Sequence, residues 1–248
     1  MASLLAYCLE VVKTNRILES PDVARSTAER VVLFSDLDAL ARSGYTNLFR
    51  GFSPYFLAML VRNTPLAGIA ATSHWRTNPV TSAGLLPVTL VGTFLANPLE
   101  IMAIRYQHTQ FTRSNLPTDL KAAFGGPRNL FTLGMWHAFA RNLILATFFL
   151  QSRDNMDPWV GGMIAAILSH PFDVLRTRQA WAVLEQGSSD ISCNPFQAIK
   201  DSVKAQGLGG LMRGVVPRTL LLTFSYHLWA RTAKETRLSY PMDVAPII

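Results

Sequence analysis

Apolar runs dominate the pattern along this chain, and the cleanest covers residues 77–99, which hold no Lys, Arg, Asp or Glu. A hydrocarbon core about 30 Å thick needs about 20 helical residues to cross it, so this run is long enough to span a bilayer. A second uncharged run, residues 158–171, leads directly into Asp173 and Arg176. Three further apolar stretches are each interrupted by a cation: Arg62, Arg141 and Arg218. Membrane helices tolerate such residues near their ends or facing a bundle interior. The pattern predicts apolar helices at 1–15, 53–74, 80–107, 135–151, 158–181 and 216–234, with more polar helices at 19–42, 118–124 and 195–205. Ser20-Pro21-Asp22 and Ser53-Pro54 are helix starts of the expected kind.

The chain repeats itself. Pro171 is followed by Asp173, Arg176 and Arg178; Pro98 is followed by Glu100 and Arg105 at the matching places, with Ala103 where the first cation belongs. Near the start, Cys8 stands at the proline position, Glu10 at the acid and Lys13 at the first cation. Proline inside a helix removes a donor and crowds the preceding turn, so Pro98 and Pro171 are expected to kink their helices. Small residues precede each anchor by two and six positions: Ala6 and Ala2, Ala96 and Gly92, Ser169 and Ala165. That spacing makes one stripe on a helix and permits close helix contact within a membrane. A glycine motif follows each copy. Gly44 lies 36 residues after Cys8, and Gly207 lies 36 after Pro171; the motifs end in Arg50-Gly51 and Arg213-Gly214. The middle version, 126–134, is closer and carries Thr132 where the cation belongs. Recurrence at this period is an architectural signature, which outranks local propensity.

These residues resemble the repeat of the mitochondrial carriers, P-x-[DE]-x-x-[KR]-x-[KR] followed by a glycine motif. The resemblance covers nearly the whole chain. It implies an all-α membrane protein: a six-helix bundle of three pseudo-repeats with short matrix-side helices and a truncated first helix. The repeats would be 1–76, 77–154 and 155–238, with a tail at 239–248. It also implies a multi-pass place in the mitochondrial inner membrane, reached without a cleaved presequence. In carriers the acid of one repeat pairs with the cation of another to close the matrix side. Carried over, the gate residues are Glu10, Lys13, Glu100, Asp173 and Arg176, and Gln107 is the brace. Asp173 is expected to pair with Lys13, Glu100 with Arg176, and Glu10 with a cation of a neighbouring repeat. The substrate positions fall on Ala58, Arg141 and Leu221, and Arg62 lies one turn beyond Ala58. Arg62 and Arg141 are therefore the candidate cavity residues. The resemblance further implies cardiolipin at Gly44, Arg50 and Gly51 and at Gly207, Arg213 and Gly214.

Composition narrows the function. Two cysteines and five scattered histidines give no ligand spacing, and neither a glycine-rich nucleotide loop nor a nucleophile elbow is present. No cofactor, metal site or enzyme activity is expected. The net charge of +7 is dispersed along apolar segments, which favours a surface of anionic lipid over nucleic acid. Two functions remain. Ala103 weakens one gate pair, the aromatic-acid-x-x-basic motif of the opposite gate is missing, and the first helix is short. The expectation is therefore an accessory subunit of a large inner-membrane complex of the respiratory-chain or ATP synthase type. The alternative is transport of an anionic metabolite by alternating access.

Overall fold

The computed structural model describes residues 2–18, 51–71, 82–107, 131–154, 156–186 and 194–239. The expected helices at 19–42 and 118–124, the Gly44 and Arg50 positions, the side chains of Ala2, Ala6 and Arg105, and the tail from 240 lie outside the described residues.

Seven helices make up the described chain: α1 (Ala2–Leu18), α2 (Phe52–Ala71), α3 (Ser82–Gln107), α4 (Met135–Asp154), α5 (Pro158–Gln186), α6 (Pro195–Leu211) and α7 (Val215–Ser239). Six of them close a ring. Helix α1 packs on α7, α7 on α5, α5 on α4, α4 on α3 and α3 on α2. Tyr7 of α1 meets Phe52 and Tyr55 of α2, with ring centroids 5.1 and 5.3 Å apart, and completes the circle. Helix α6 lies outside the ring against α5, where Ile17, Val174, Leu175, Ala198 and Leu211 form a small apolar core. Its cap is Asn194, whose side chain accepts from the Phe196 and Gln197 N–H groups, with Pro195 in the first turn. The expected end at 205 falls short, because Gly207, at φ +70°, turns the chain into one more helical turn.

Helices α3 and α5 continue through Pro98 and Pro171 rather than ending there. Each proline is preceded by a polar side chain that reaches the glycine turn of its own repeat. Asn97 donates to the Phe131 and Leu133 carbonyls at 2.9 and 3.0 Å, and His170 Nε2 donates to the Arg213 carbonyl at 2.8 Å. The glycines that end those turns contact the next repeat in a cycle. A Cβ on Gly51 would meet Ala103 O, one on Gly134 would meet Arg176 Cγ, and one on Gly214 would meet Lys13 O, at 2.9, 3.1 and 3.1 Å. All three glycines also have positive φ, so both conformation and space demand glycine.

The radial distribution of side chains is inverted relative to a water-soluble protein. Leu86, Leu90, Val91, Phe94 and Leu95 of α3, Phe56, Leu57 and Leu60 of α2, and Trp159, Met163, Ile167 and Leu168 of α5 all face outward. Lys13, Glu100, Arg141, Asp173, Arg176 and Arg218 face inward and are buried. Among the described residues one helical segment, Leu85–Ile104, is long and apolar enough by composition alone to cross a membrane, with mean hydropathy 1.5. Helix α1 is short at 17 residues, and α2, α4, α5 and α7 each carry charged residues toward the interior: Arg62, Arg141, Asp173 with Arg176, and Arg218.

Small residues set the helix separations. A Cβ on Gly92 would lie 2.9 Å from Arg62 O of α2, and one on Gly162 would lie 2.7 Å from Thr223 Cα of α7. Gly162→Ala must therefore push α5 and α7 apart, since its obstacle is backbone. The expected result is a loss of about 1–3 kcal/mol, read as a lower thermal midpoint of the purified protein. Gly209→Ala, with open space around its Cβ position, serves as the control and should lie close to the parent.

Candidate functional site

The ring encloses a cavity of about 70 Å³ whose wall carries Glu10, Lys13, Arg62, Glu100, Arg141, Asp173, Arg176 and Arg218. These side chains form one connected ionic cluster. Asp173 lies 2.7 Å from Lys13 Nζ, 2.8 Å from Arg141 Nη1 and 2.6 Å from Arg218 Nη1. Glu100 lies 2.6 Å from Arg62 Nη1, 2.7 Å from Arg141 Nη2 and 2.7 Å from Arg176 Nη1. Arg176 also donates to Asn97 Oδ1, and Arg218 to Ser169 Oγ. Buried charge is costly unless paired and hydrogen-bonded, and each of these two carboxylates is enclosed by three cations.

Of the residues expected to form gate pairs, Lys13 and Asp173 meet across the bundle, as do Glu100 and Arg176. Glu10 does not reach a cation of a neighbouring repeat among the described side chains. Its partner is Lys13, one turn away on the same helix, because Ala103 offers nothing opposite it. The junction that Ala103 leaves uncharged is bridged another way: Thr14 Oγ1 of α1 donates to Oε1 of Gln107 on α3 at 2.8 Å, in a buried position. The glutamine expected as a brace thus joins the two helices that lack an ion pair.

Arg62 and Arg141 line the cavity as expected, but neither is free to meet a solute unaided, since both are engaged by acids. The role of Arg218 was not foreseen from sequence. A signal for it exists. Arg62, Arg141 and Arg218 lie 11, 7 and 4 residues after Gly51, Gly134 and Gly214, and residues three, four and seven apart share one helical face. Arg178, the second cation of the third motif, points away from the cluster; it donates to Gln206 Oε1 at 2.6 Å and to Gly210 O at 2.9 Å, fastening α6 to α5. Arg213 and Gly214 form the α6 to α7 turn, Gly207 is the kink within α6, and Gly51 immediately precedes α2. At the other end of the bundle the contacts are aromatic. Phe149 of α4 and Tyr226 of α7 meet edge to face with centroids 5.7 Å apart, and Trp159 of α5 lies 4.5 Å from His227 of α7.

Residues 158–244 match the family model described as mitochondrial carrier protein. That match takes in the third proline motif, α6, the Gly207 to Gly214 turn and α7. Over these residues the chain is similar to the mitochondrial carriers. A similar protein is mitochondrial uncoupling protein 3 of Arabidopsis thaliana, 24% identical over 88% of this chain and 83% of that protein. The all-helical ring agrees with the carrier fold.

Proposed function

We propose that this carrier moves a small anion across the mitochondrial inner membrane by alternating access, with the buried cluster as both solute site and matrix-side gate. The supporting observation is the charge of the cavity wall: five cations, Lys13, Arg62, Arg141, Arg176 and Arg218, stand against three acids, Glu10, Glu100 and Asp173. An excess of two positive charges in a site shielded from water attracts an anion strongly. The apolar exterior and charged interior support six membrane-spanning helices, since an intramembrane arginine is tolerated where it faces a polar cavity. One of the three arguments for the accessory-subunit reading weakens, because the junction that Ala103 leaves uncharged is joined by Thr14 and Gln107.

Uptake into proteoliposomes tests this. The parent protein should exchange a labelled small anion saturably, and Arg141→Ala should reduce that exchange by at least about 100-fold, as expected when a charged hydrogen-bonding partner worth about 3 kcal/mol is removed. No saturable uptake of any anion, together with migration solely as part of a large assembly on a native gel, would favour the accessory role.

The lipid sites belong to the same proposal. Gly51 and Gly214 open α2 and α7, whose first N–H groups and positive dipole ends suit phosphate. Cardiolipin is the expected partner at these two turns, and binding at Gly134 should be weaker because Thr132 replaces the cation. Titrating cardiolipin into detergent-purified protein should raise the thermal midpoint, and Arg213→Gln should blunt the rise. An unchanged midpoint would dismiss the lipid role.

A further inference from the structure

One guanidinium in the bundle holds two residues of the same neighbouring helix. Arg176 of α5 gives Nη1 to Glu100 Oε2 at 2.7 Å and Nη2 to Asn97 Oδ1 at 3.0 Å, and both acceptors lie on α3. Positions three apart share a helical face, so a forked donor reaches both at once. Asn97 is fully buried, and its other end is occupied too: Nδ2 donates to the Phe131 and Leu133 carbonyls, in the backbone that leads into Gly134. A carboxamide has one oxygen and one NH2 group, and only this orientation satisfies all three neighbours. The line from Glu100 to the turn is therefore unbroken, running through guanidinium and carboxamide to two carbonyls.

We propose that Asn97 relays the state of the Glu100 and Arg176 pair to the 131–134 turn: while the pair is made the turn is fastened, and when the pair parts the turn comes loose. Asn97 is thus a positioning residue. Among the described residues the other two repeats lack this connection. His170 holds its turn through Nε2, but its Nδ1 has no hydrogen-bond partner, and Lys13 directs its ammonium to Glu10 and Asp173. Tyr7 bonds Gln107, and Ala103 offers no charge to pass on. In the middle repeat the glycine motif also carries Thr132 in place of its cation. The turn with the least charge to present outward is the one tied to the interior.

Two features suit Asn97 to this task. Buried hydrogen bonds polarise their neighbours, so losing the charged donor weakens the two bonds that the carboxamide makes on its far side. The stem of Arg176 also lies against the turn, since a Cβ on Gly134 would be 3.1 Å from Arg176 Cγ. An arginine that leaves Glu100 thus withdraws both its packing and its hydrogen bond. Coupling of this kind is reciprocal: whatever fastens the turn from outside favours the paired state by the same factor. The link concerns contacts within the folded chain, so it stands or falls separately from the solute.

The test is hydrogen exchange read by mass spectrometry on the full-length protein in mild detergent, comparing the amides of 131–134 with those of the equivalent 212–214 turn. Arg176→Lys keeps a cation for Glu100 and an aliphatic stem beside Gly134, but a point charge does not reach both acceptors as a planar fork does. It should speed exchange at 131–134 by at least about ten-fold while 212–214 stays within about two-fold of the parent. Asn97→Leu should speed the same amides, and Arg176→Lys added to it should change them by less than about two-fold, because the relay is already cut. Should Asn97→Leu fail to fold, Asn97→Asp takes its place, since it still accepts from position 176 but cannot donate to the turn. A side chain that merely fills space would give two independent effects that multiply. Multiplying effects, an unchanged 131–134 turn in Arg176→Lys, or equal loosening of both turns would each overturn the proposal.

Discussion

Asp173→Asn is expected to be among the most damaging single substitutions in this protein, with a loss of about 3–5 kcal/mol and a thermal midpoint lower by about 6–20 °C. Asp173 is enclosed by Lys13, Arg141 and Arg218, with 2% of its side chain exposed. Asparagine retains a hydrogen-bonding oxygen but not the charge, which leaves three buried cations repelling one another where water screens them poorly. Glu10→Gln supplies the comparison. Glu10 is more exposed and its partner Lys13 keeps Asp173, so the cost there should stay under about 1 kcal/mol. Thermal unfolding of both variants under one lipid condition checks the contrast, and equal midpoints would show that the cluster around Asp173 does not hold the bundle together.

Reversing Glu100 and Arg176 together should fail to repair what each reversal loses. An isolated pair tolerates an exchange of its ends, and Glu100 with Arg176 is such a pair when taken from the repeat pattern alone. In the folded protein Glu100 also accepts from Arg62 and Arg141. Arg at position 100 would therefore face two further guanidinium groups. Each single reversal is expected to cost about 3–5 kcal/mol, and the double variant should keep at least half of the summed loss. A double-mutant cycle measured by unfolding decides, and a double variant as stable as the parent would reduce the cluster to independent pairs.

Much of this architecture was legible in the chain because it is repeated. The proline, acid and cation spacing locates α3 and α5, and the glycine before each of α2, α4 and α7 locates their starts. The same repeats anticipate which cations meet which acids at two of the three junctions. What they do not convey is how far a long side chain reaches. Arg62 sits two turns beyond the place of Arg218 in its own repeat, yet both end on carboxylates of the same cluster. Spacing identifies the face on which an arginine lies, not the level at which its guanidinium settles, so Arg62 and Arg141 were expected in the cavity without their acids. The role of Thr14 was hidden for a related reason. A threonine on a helix commonly bonds its own backbone, and Thr14 Oγ1 lies 2.9 Å from the Glu10 carbonyl, but the fold also sets the same hydroxyl against Gln107.

The bridge between Thr14 and Gln107 makes the three seams of the bundle unequal. Two of them are latched by opposite charges, and the third is latched by neutral hydrogen bonds to Gln107, from Thr14 and from Tyr7, each worth about 1 kcal/mol. A ring with three equal latches opens like an iris, widening on all sides at once. With one weak latch it opens like a door, parting first between α1 and α3 while the other seams act as the hinge. Under the proposed transport, a solute would therefore leave beside the first repeat rather than along the pseudo-threefold axis.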